Sequence, residues 1–366
     1  MRLHLVRWLL LLSAWKFLVP CRSIEDDDVS KFQDLVQWIR EHDGFVHEDL
    51  TIVYDGIRGI GLESTNDTLV MRIPWSLVVQ EDSDCDTVRV LERELLRGSE
   101  SPYAPFLRSV PTIDPHSVPA FWESEIRNEL QGLIPDAYRH VGWYQEACNN
   151  DRPVHWTPEK IQSLLLVVSY ATTQGIFPLY HLMNHRRNQA NTRVELTAEG
   201  VQVWKVGEGR MLYTDYSRPT SAEIYRDYGF IEGPIRRWAW TEHTSSWWSS
   251  WRRLLQTGSF DPPSHSFVVI GGDGPAAIEV DELFSKEEAT RHMGSLDRTT
   301  LDSFVKGIPQ MPTSVDEDEE LLLSGGIAGD LASAVQFRLT FKRDLEVALL
   351  EAYQWLERDS SATSEL

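Results

Sequence analysis

Three short segments hold the residues most able to do chemistry in this 366-residue chain. The first is the glycine-rich stretch 54–62, YDGIRGIGL, where glycines allow a ligand to approach the backbone closely. The second is the pair Asn184-His185, and the third comprises the tyrosines of stretches 213–216 and 227–230. Amides, imidazoles and phenols can hydrogen-bond a ligand or orient a proton. Taken singly, each segment is more typical of a turn or of core packing.

Residue spacing argues against two familiar kinds of site, a nucleotide-binding loop and a metal centre. The stretch 54–62 lacks the GxGxxG order and precedes no helical pattern, which argues against a dinucleotide fold or a phosphate-binding loop. His181 and His185 are four residues apart, so they could share one helix face as metal ligands. No third ligand follows at a recognisable spacing, and the sequence therefore predicts no metal centre.

The composition narrows the classes of partner. Asp and Glu number 56 against 35 Lys and Arg, which gives a net charge of −21 at pH 7. This charge repels phosphate backbones and argues against nucleic acid as the main partner. It is compatible with a basic protein substrate, although solubility is the simpler explanation. The length predicts about two domains, and the oligomeric state is left open.

The N-terminus has the order of a secretory signal peptide. Arg2 and Arg7 form a basic start, residues 8–15 are apolar, and Ser23 is a small residue suited to cleavage. Lys16 interrupts the apolar run, which leaves it short of the roughly 20 residues of a membrane span. The sequence therefore predicts a signal peptide over 1–23 and a mature chain in the endoplasmic reticulum lumen or outside the cell. A signal-anchored membrane protein is the alternative.

The cysteines and one glycosylation motif are compatible with the predicted secretory compartment. Cleavage after Ser23 removes Cys21 and leaves Cys85 and Cys148, which could pair in an oxidising lumen. The three cysteines contain no CxxC pair of a structural zinc site. The sequence 66–68, Asn-Asp-Thr, then becomes a usable glycosylation sequon.

Local patterns predict alternating strand and helix regions. Apolar residues at helical spacing near residue 32 predict an opening helix, and short strands are expected at 51–54 and 69–73 around the glycine-rich turn. Residues 86–175 have a mostly helical pattern, in which Thr157 supplies a helix N-cap. Alternation over 192–215 predicts further strands.

The C-terminal third has a different composition. Beyond residue 233 the sequence predicts helices, apart from a strand at 267–270, and five tryptophans crowd the stretch 238–251. The acidic run 316–320 is expected to be a solvated linker or loop. A long amphipathic helix follows, with an apolar stripe from Phe337 to Trp355.

In this order, the segments resemble SET-domain methyltransferases of the Rubisco large-subunit methyltransferase type, which includes the actin-histidine methyltransferase. The similar stretches are 58–62, 70–77, 101–107, 121–122, 129–132, 184–185, 213–216, 227–230 and 334–339. The resemblance spans about residues 30 to 357. It implies an α+β fold, a SET-domain β-clip of short strands with a helical insertion, followed by a mostly helical substrate-binding domain. The implied limits are 24–232, with the insertion at about 86–175, then 233–358 and a tail from 359.

The resemblance also implies an activity and a cofactor. It predicts an S-adenosyl-L-methionine-dependent N-methyltransferase that acts on a protein side chain, lysine first and histidine as the other choice. It assigns the position beside the transferring methyl group to Tyr216. The cofactor-binding residues that it implies are Arg58, Gly59, Ile60, Asn184 and His185. The residues that it implies along the substrate channel are Thr214, Tyr228 and Phe230.

This chain departs from the family pattern at several of these positions. Tyr170 stands where the family has an arginine that grips the cofactor carboxylate, and a phenol offers a hydrogen bond but no charge. Thr172 replaces an aromatic residue, His181 replaces an acid, and the loop 217–221 lacks the usual asparagine. The competing prediction is therefore a catalytically degenerate protein that binds a partner through its C-terminal domain, with exposed tryptophans as anchors. Packing of these tryptophans into a helical core is the simpler expectation for them.

Overall fold

The structure is a computed structural model, and it describes most of the chain in two compact units. The described residues are 25–54, 59–134, 137–186, 190–216, 220–231, 233, 235–240, 265–270, 276–278, 288, 291 and 296–364. The first unit comprises the chain up to Pro111 together with Tyr170–Tyr216, and the second comprises Thr112–Ser169 and the chain from Ser217 onward. The predicted signal segment and Arg58 lie outside the described residues. The domain limits proposed from the sequence stay a prediction.

The first unit is made of short strands with a few helices. Its helices are α1 (Asp26–Glu41), α2 (Asp84–Arg97) and α3 (Ala104–Ser109). Its strands are β1 (Phe45–Val46), β2 (Thr51–Tyr54), β3 (Ile60–Glu63), β4 (Leu69–Pro74), β5 (Asn184–His185), β6 (Thr192–Leu196), β7 (Gly200–Lys205) and β8 (Tyr213–Thr214). The predicted strands at 51–54, 69–73 and within 192–215 are thus confirmed.

These strands form one four-stranded sheet and two strand pairs. The sheet has the order β1-β4-β7-β6 with antiparallel neighbours, β2 and β3 form an antiparallel pair, and β5 pairs with β8 in parallel. In β7 the alternation predicted from the sequence places Val201 and Val203 in the core. Val194 and Leu196 lie on β6, at the edge of the sheet, and they are exposed. The same alternating pattern therefore gives a buried face only where neighbours cover it.

The predicted helix signals are also present. In α1 the residues Leu35, Val36 and Ile39 are buried, as their helical spacing predicts. The Oγ1 of Thr157 accepts a hydrogen bond from the backbone N–H of Lys160 at 3.2 Å, so the predicted N-cap of the next long helix is made.

The second unit combines helices with a three-stranded sheet. Its helices are α4 (Ser124–Asn128), α5 (Arg139–Trp143), α6 (Pro158–Tyr170, whose last residue is in the first unit), α7 (Ser221–Tyr228), α8 (Arg298–Gly307), α9 (Val315–Leu323) and α10 (Gly329–Ser364). Its strands are β9 (Ile235–Trp240), β10 (His265–Ile270) and β11 (Ala276–Ile278), in the antiparallel order β11-β10-β9.

The core of this unit is aromatic, and it changes the interpretation of the tryptophan-rich stretch. Trp238 lies 5.4 Å from Phe337 and 5.2 Å from Phe341 between ring centroids, and both phenylalanines belong to the predicted stripe of α10. Trp238 and Trp240 are buried on β9. Core packing is therefore confirmed for these two, while the other tryptophans of 238–251 lie outside the described residues. The strand predicted at 267–270 is confirmed as β10, whereas the expectation of helices was wrong for β9 and β11, since Arg and Trp in β9 give no polar-apolar alternation.

The acidic run 316–320 is not a solvated linker. It belongs to α9, which begins with a capping box in which the Ser314 hydroxyl accepts from the Glu317 N–H and the Glu317 carboxylate accepts from the Ser314 N–H. Asp318 is fully buried, and Arg338 and Lys342 of α10 donate to its carboxylate. The prediction was wrong because the cations that pair with Asp318 lie 20 or more positions away in the sequence.

Among the described helices, none has the length and apolar character needed to cross a membrane.

Candidate active site

The parallel pair of β5 and β8 is the framework of the candidate site in the first unit. Asn184 is opposite Tyr213, and His185 is opposite Thr214. The backbone N–H of Arg186 donates to the carbonyl of Thr214 at 3.0 Å, which continues the pairing beyond the strands. Two of the three segments singled out in the sequence are therefore adjacent, although about 30 residues separate them.

The glycine-rich segment contacts the same pair of strands. The side-chain amide of Asn184 donates to the backbone carbonyl of Ile60 at 3.4 Å. A Cβ atom at Gly61 would lie 2.7 Å from the Nδ2 atom of Asn184, so only glycine allows this approach. Gly59 has a φ of +84°, and no described atom lies within 4 Å of its ideal Cβ position. The structure thus brings Ile60, Gly61 and Asn184 together.

Tyr216 is held against His185. Its backbone N–H donates to the Nδ1 of His185 at 3.1 Å, and the two ring centroids are 4.7 Å apart with an interplanar angle of 32°. The hydroxyl of Tyr216 donates to the backbone carbonyl of Met183 at 3.4 Å. Because its Nδ1 accepts a hydrogen bond, His185 orients the tyrosine through its backbone. The catalytic candidate, Tyr216, and the cofactor-binding candidate, His185, therefore belong to one cluster.

Thr214 is fixed by a neighbouring phenol. Its Oγ1 lies 2.7 Å from the hydroxyl of Tyr180, and Thr214 itself is buried. Burial raises the pKa of Tyr180, although the hydrogen bond to Thr214 partly offsets this effect. Tyr180 therefore stays protonated at neutral pH and supplies a neutral hydrogen bond. Sequence reasoning missed this contact, since a lone tyrosine before a histidine has no distinctive pattern.

Asn191 organises the loop that leads into β8. Its Nδ2 donates to the carbonyls of Glu208 at 3.1 Å and Met211 at 2.8 Å, and its Oδ1 accepts from the N–H of Tyr213 at 2.8 Å. The sequence shows only that Asn191 follows the Asn184-His185 pair by a few residues. The structure shows that its buried amide ties the chain before β8 in place.

Tyr228 and Phe230, the predicted channel residues, lie in the second unit at the end of α7. Their ring centroids are 6.2 Å apart. Gly229 between them caps the helix with a φ of +74°, and a Cβ atom there would lie 2.1 Å from the carbonyl oxygen of Ser117. This turn therefore requires glycine both for its conformation and for its close packing.

A buried charge network supports the same turn. Asp227 accepts from Arg226 at 2.5 and 2.9 Å, and its Oδ1 lies 2.8 Å from the Nε2 of His140 on α5. Burial opposes ionisation of Asp227, but the hydrogen bonds from Arg226 and His140 lower its pKa overall. Burial lowers the pKa of His140, although Asp227 partly offsets this effect. The network thus fixes the residue just before Tyr228.

Tyr170 and His181, two of the departures from the family pattern, contact each other. Their ring centroids are 5.7 Å apart in an edge-to-face arrangement. Burial raises the pKa of Tyr170 to about 12, so its hydroxyl is neutral at pH 7. Thr172, a third departure, closes a tight turn because its Oγ1 donates to the carbonyl of Gly175 at 2.9 Å.

His181 and His185 do not share a helix face. His181 lies in a 3₁₀ turn over Tyr180–Leu182, whereas His185 lies on strand β5. Their spacing of four residues therefore does not place them on one face of a helix. In the described part of the chain, no cluster of three or more His, Cys, Asp or Glu side chains is arranged to hold a metal ion.

Comparison with solved structures identifies the fold. The SET domain of LSMT bound to lysine and AdoHcy has a TM-score of 0.50 and 16% identity, over 89% of this chain and 91% of that one. Rubisco LSMT bound to AdoMet has a TM-score of 0.51 and 16% identity, over 89% and 92%. Rubisco LSMT bound to sinefungin and monomethyllysine has a TM-score of 0.51 and 16% identity, over 94% of each chain.

Sequence comparisons add nothing to this. The chain matches no protein-family model. It matches no curated protein. The predicted α+β architecture of short strands, helical insertion and helical C-terminal region is confirmed at the level of fold. The chain therefore has the SET-domain fold, of the kind found in Rubisco LSMT.

Proposed function

We propose that this chain transfers a methyl group from S-adenosyl-L-methionine to a nitrogen of a protein side chain, with lysine as the acceptor. The observation that carries this proposal is the cluster of Ile60, Asn184, His185 and Tyr216 in a SET-domain fold. Three segments that resemble family motifs lie together there: the glycine-rich segment, the Asn-His pair and the tyrosine. They do so although 156 positions separate Ile60 from Tyr216. The net charge of −21 favours a basic protein substrate.

The residues of this cluster fit the cofactor in part. The Gly59-Ile60 backbone, where no described atom lies within 4 Å of the Cβ position of Gly59, suits a ligand held by main-chain groups. The Asn184 amide and His185 would hold the adenine and amino-acid parts. S-adenosyl-L-methionine supplies an electrophilic methyl group on a sulfonium. Tyr170 offers no charge for the carboxylate, so cofactor binding has to depend on neutral hydrogen bonds at this position.

Methyl transfer requires from the protein little more than correct positioning of the two reactants and an uncharged acceptor nitrogen. Methyl transfer is an in-line displacement, in which alignment of the reactants supplies much of the acceleration. A lysine with a pKa near 10.4 must lose its proton, which costs about 4.6 kcal/mol at pH 7. Desolvation in an aromatic channel lowers this cost, and Tyr228 and Phe230 are the aromatic residues that the family resemblance implies for such a channel. The hydroxyl of Tyr216 orients the amine as a weak hydrogen-bonding partner rather than as a base.

Calorimetry and label transfer test this proposal. We expect the wild-type chain to bind S-adenosylhomocysteine and to transfer labelled methyl from S-adenosylmethionine to a protein in an extract. Replacing Asn184 with alanine removes the half-buried amide that reaches Ile60 and that is proposed to hold the cofactor, so we expect at least tenfold weaker binding. Asn128→Ala, at an exposed position on α4, is the matched control and should bind as the wild type does. No heat of binding and no transferred label would refute the enzyme proposal.

The competing function is a SET-like protein that binds a partner without catalysis. The neutral Tyr170 in place of the family arginine favours it, because a charge-assisted cofactor contact is missing. Burial of Trp238 and Trp240 removes two of its proposed anchors. Measurable turnover on any peptide would reject this alternative.

We further propose that the mature chain enters the secretory pathway. Cys85 and Cys148 are both disulfide-bonded, which suits an oxidising compartment. Asn66, in the only sequon of the sequence, is exposed in the loop between β3 and β4, and its Nδ2 donates to Asp49 at 2.8 Å. An exposed side chain there leaves room for a glycan.

Expression of the full chain in secreting animal cells tests the proposed compartment. We expect medium or lumenal protein that begins after Ser23 and that loses mass on treatment with peptide-N-glycosidase. Asn66→Gln should abolish that mass change, whereas Asn128→Gln, outside any sequon, should leave it intact. Cytosolic protein that retains Met1 and carries no glycan would overturn this proposal.

A further inference from the structure

Strand β6 (Thr192–Leu196) forms one edge of the four-stranded sheet of the first unit. It is the last strand in the order β1-β4-β7-β6, and the strand at the opposite edge, β1, has only two residues. On β6, Val194 is 38% exposed and Leu196 is 51% exposed, although both carry apolar side chains. An edge strand of this kind offers its free backbone groups and its apolar side chains to a strand of another chain.

Hydrogen bonds at the two ends of β6 show which of its backbone groups are available for pairing. The N–H of Thr197 donates to the carbonyl of Gly200, and the carbonyl of Asn191 accepts from the N–H of Val206, both at 2.9 Å. Backbone groups alternate in direction along an antiparallel strand, so the odd-numbered residues of β6 face β7 and the even-numbered ones face away from it. Among the described residues, none bonds to these outward-facing N–H and C=O groups of β6.

The charges of β6 fit a second copy of the same strand. Arg193 and Glu195 flank Val194, are both exposed, and lie 2.9 Å apart between Nη2 and Oε1. In an antiparallel pairing about a two-fold axis at Val194, Arg193 of each copy lies opposite Glu195 of the other. A shift of two residues in either direction would instead oppose two arginines or two glutamates. Opposite charges that face each other across strands stabilise the pairing, and like charges destabilise it.

The backbone groups and the side chains agree on this register. Val194 of each copy would exchange both its N–H and its C=O with Val194 of the other, and Thr192 would pair in the same way with Leu196. Arg193 and Glu195 would then form the non-hydrogen-bonded pairs, in which side chains lie closest together. We propose that the chain forms a homodimer through β6, in which two sheets join edge to edge by antiparallel pairing centred on Val194.

Sedimentation of the full-length protein over a concentration series tests this proposal. A strand of five residues is a small interface, so the expected Kd is on the order of 10–100 µM. The buffer should have an ionic strength of about 0.15 M, which screens the net charge of −21 on each chain. Val194→Pro removes an outward-facing N–H and no bond to β7, so the fold should be kept while the dimer becomes at least tenfold weaker.

Charge reversal tests the register independently of the proline variant. Arg193→Glu and Glu195→Arg each place like charges opposite each other in the dimer, so each variant alone should dimerise at least tenfold more weakly. An equimolar mixture of the two variants has opposite charges at every such pair and should dimerise as the wild type does. The matched control is Arg298→Glu, the same charge change at an exposed position on α8, which should also dimerise as the wild type does.

Three outcomes would overturn the proposal. The first is a wild type that stays monomeric at the highest concentration. The second is a dimer that neither Val194→Pro nor the two charge variants weaken, because such a dimer must form through another surface. The third is a mixture of Arg193→Glu and Glu195→Arg that dimerises no better than either variant alone, since this result excludes the antiparallel register.

Discussion

Replacing Asp318 with alanine is expected to lower the free energy of unfolding by about 3–5 kcal/mol, because it removes the carboxylate that two buried cations share and leaves Arg338 with Glu129 alone. Arg338 donates to the Asp318 carboxylate through Nε at 3.0 Å and through Nη2 at 2.6 Å. Lys342 donates to it through Nζ at 2.6 Å. All three side chains are almost fully buried, so water cannot take the place of the lost carboxylate.

Denaturant unfolding at neutral pH measures this effect. The matched control is Asp316→Ala, an exposed acid on the same helix, which should change the free energy of unfolding by less than about 0.5 kcal/mol. A loss no greater for Asp318→Ala than for Asp316→Ala would show that the cluster contributes nothing to stability.

Acid should reproduce part of the Asp318 effect in the wild type. Burial opposes ionisation of Asp318, but hydrogen bonds from Arg338, Lys342 and Thr313 lower its pKa overall. A carboxyl group with a lowered folded-state pKa stabilises the fold fully above its ordinary pKa, and this stabilisation is lost as the pH falls through the lowered value. Asp318→Ala should therefore lose less stability than the wild type does between pH 6 and about pH 3. Parallel pH profiles would contradict this account.

Replacing Tyr216 with phenylalanine is expected to lower the methylation rate at least tenfold, or about 1.4 kcal/mol in activation free energy, while cofactor binding stays nearly intact. The variant keeps the ring that lies 4.7 Å from His185 and the backbone N–H that donates to it. It removes only the hydroxyl, whose bond to the Met183 carbonyl is long, at 3.4 Å, so the fold should be little affected. The loss would therefore report on orientation of the acceptor nitrogen.

Single-turnover rates with saturating S-adenosylmethionine, together with calorimetry, separate the two effects. Tyr353→Phe, on the exposed face of α10, is the control, and it should match the wild type in both measurements. Equal rates for Tyr216→Phe and the wild type, on a substrate that the wild type methylates, would show that Tyr216 only packs the end of its strand.

The sequence predicted those features that depend on neighbouring residues. The N-cap at Thr157, the buried face of α1 and the alternation in β7 each involve side chains a few positions apart, and each is present. The stripe from Phe337 to Trp355 is likewise on one helix, α10. Local spacing determines these elements because a helix or strand repeats its side-chain directions every few residues.

Other features depended on partners that a single stretch of sequence does not reveal. The acidic run around Asp318 has the composition of a solvated segment, but it is part of a helix in which Asp318 is buried against Arg338 and Lys342, while Asp316 stays exposed. The residues of β9 have no clear alternation, and burial against the aromatic core decides their strand. Charge and packing from distant residues therefore override local preference in the second unit.

In the candidate site, the residue types came from the sequence and their mutual geometry came from the fold. Family resemblance pointed to Asn184, His185 and Tyr216, but only the pairing of β5 with β8 shows that His185 holds the backbone of Tyr216. The contact of Tyr170 with His181 has no signature in sequence. The sequence by itself determined the elements that have a regular local spacing and the set of reactive side chains. Which donors and acceptors remain unpaired was decided by tertiary structure, because pairing depends on residues that meet only after folding.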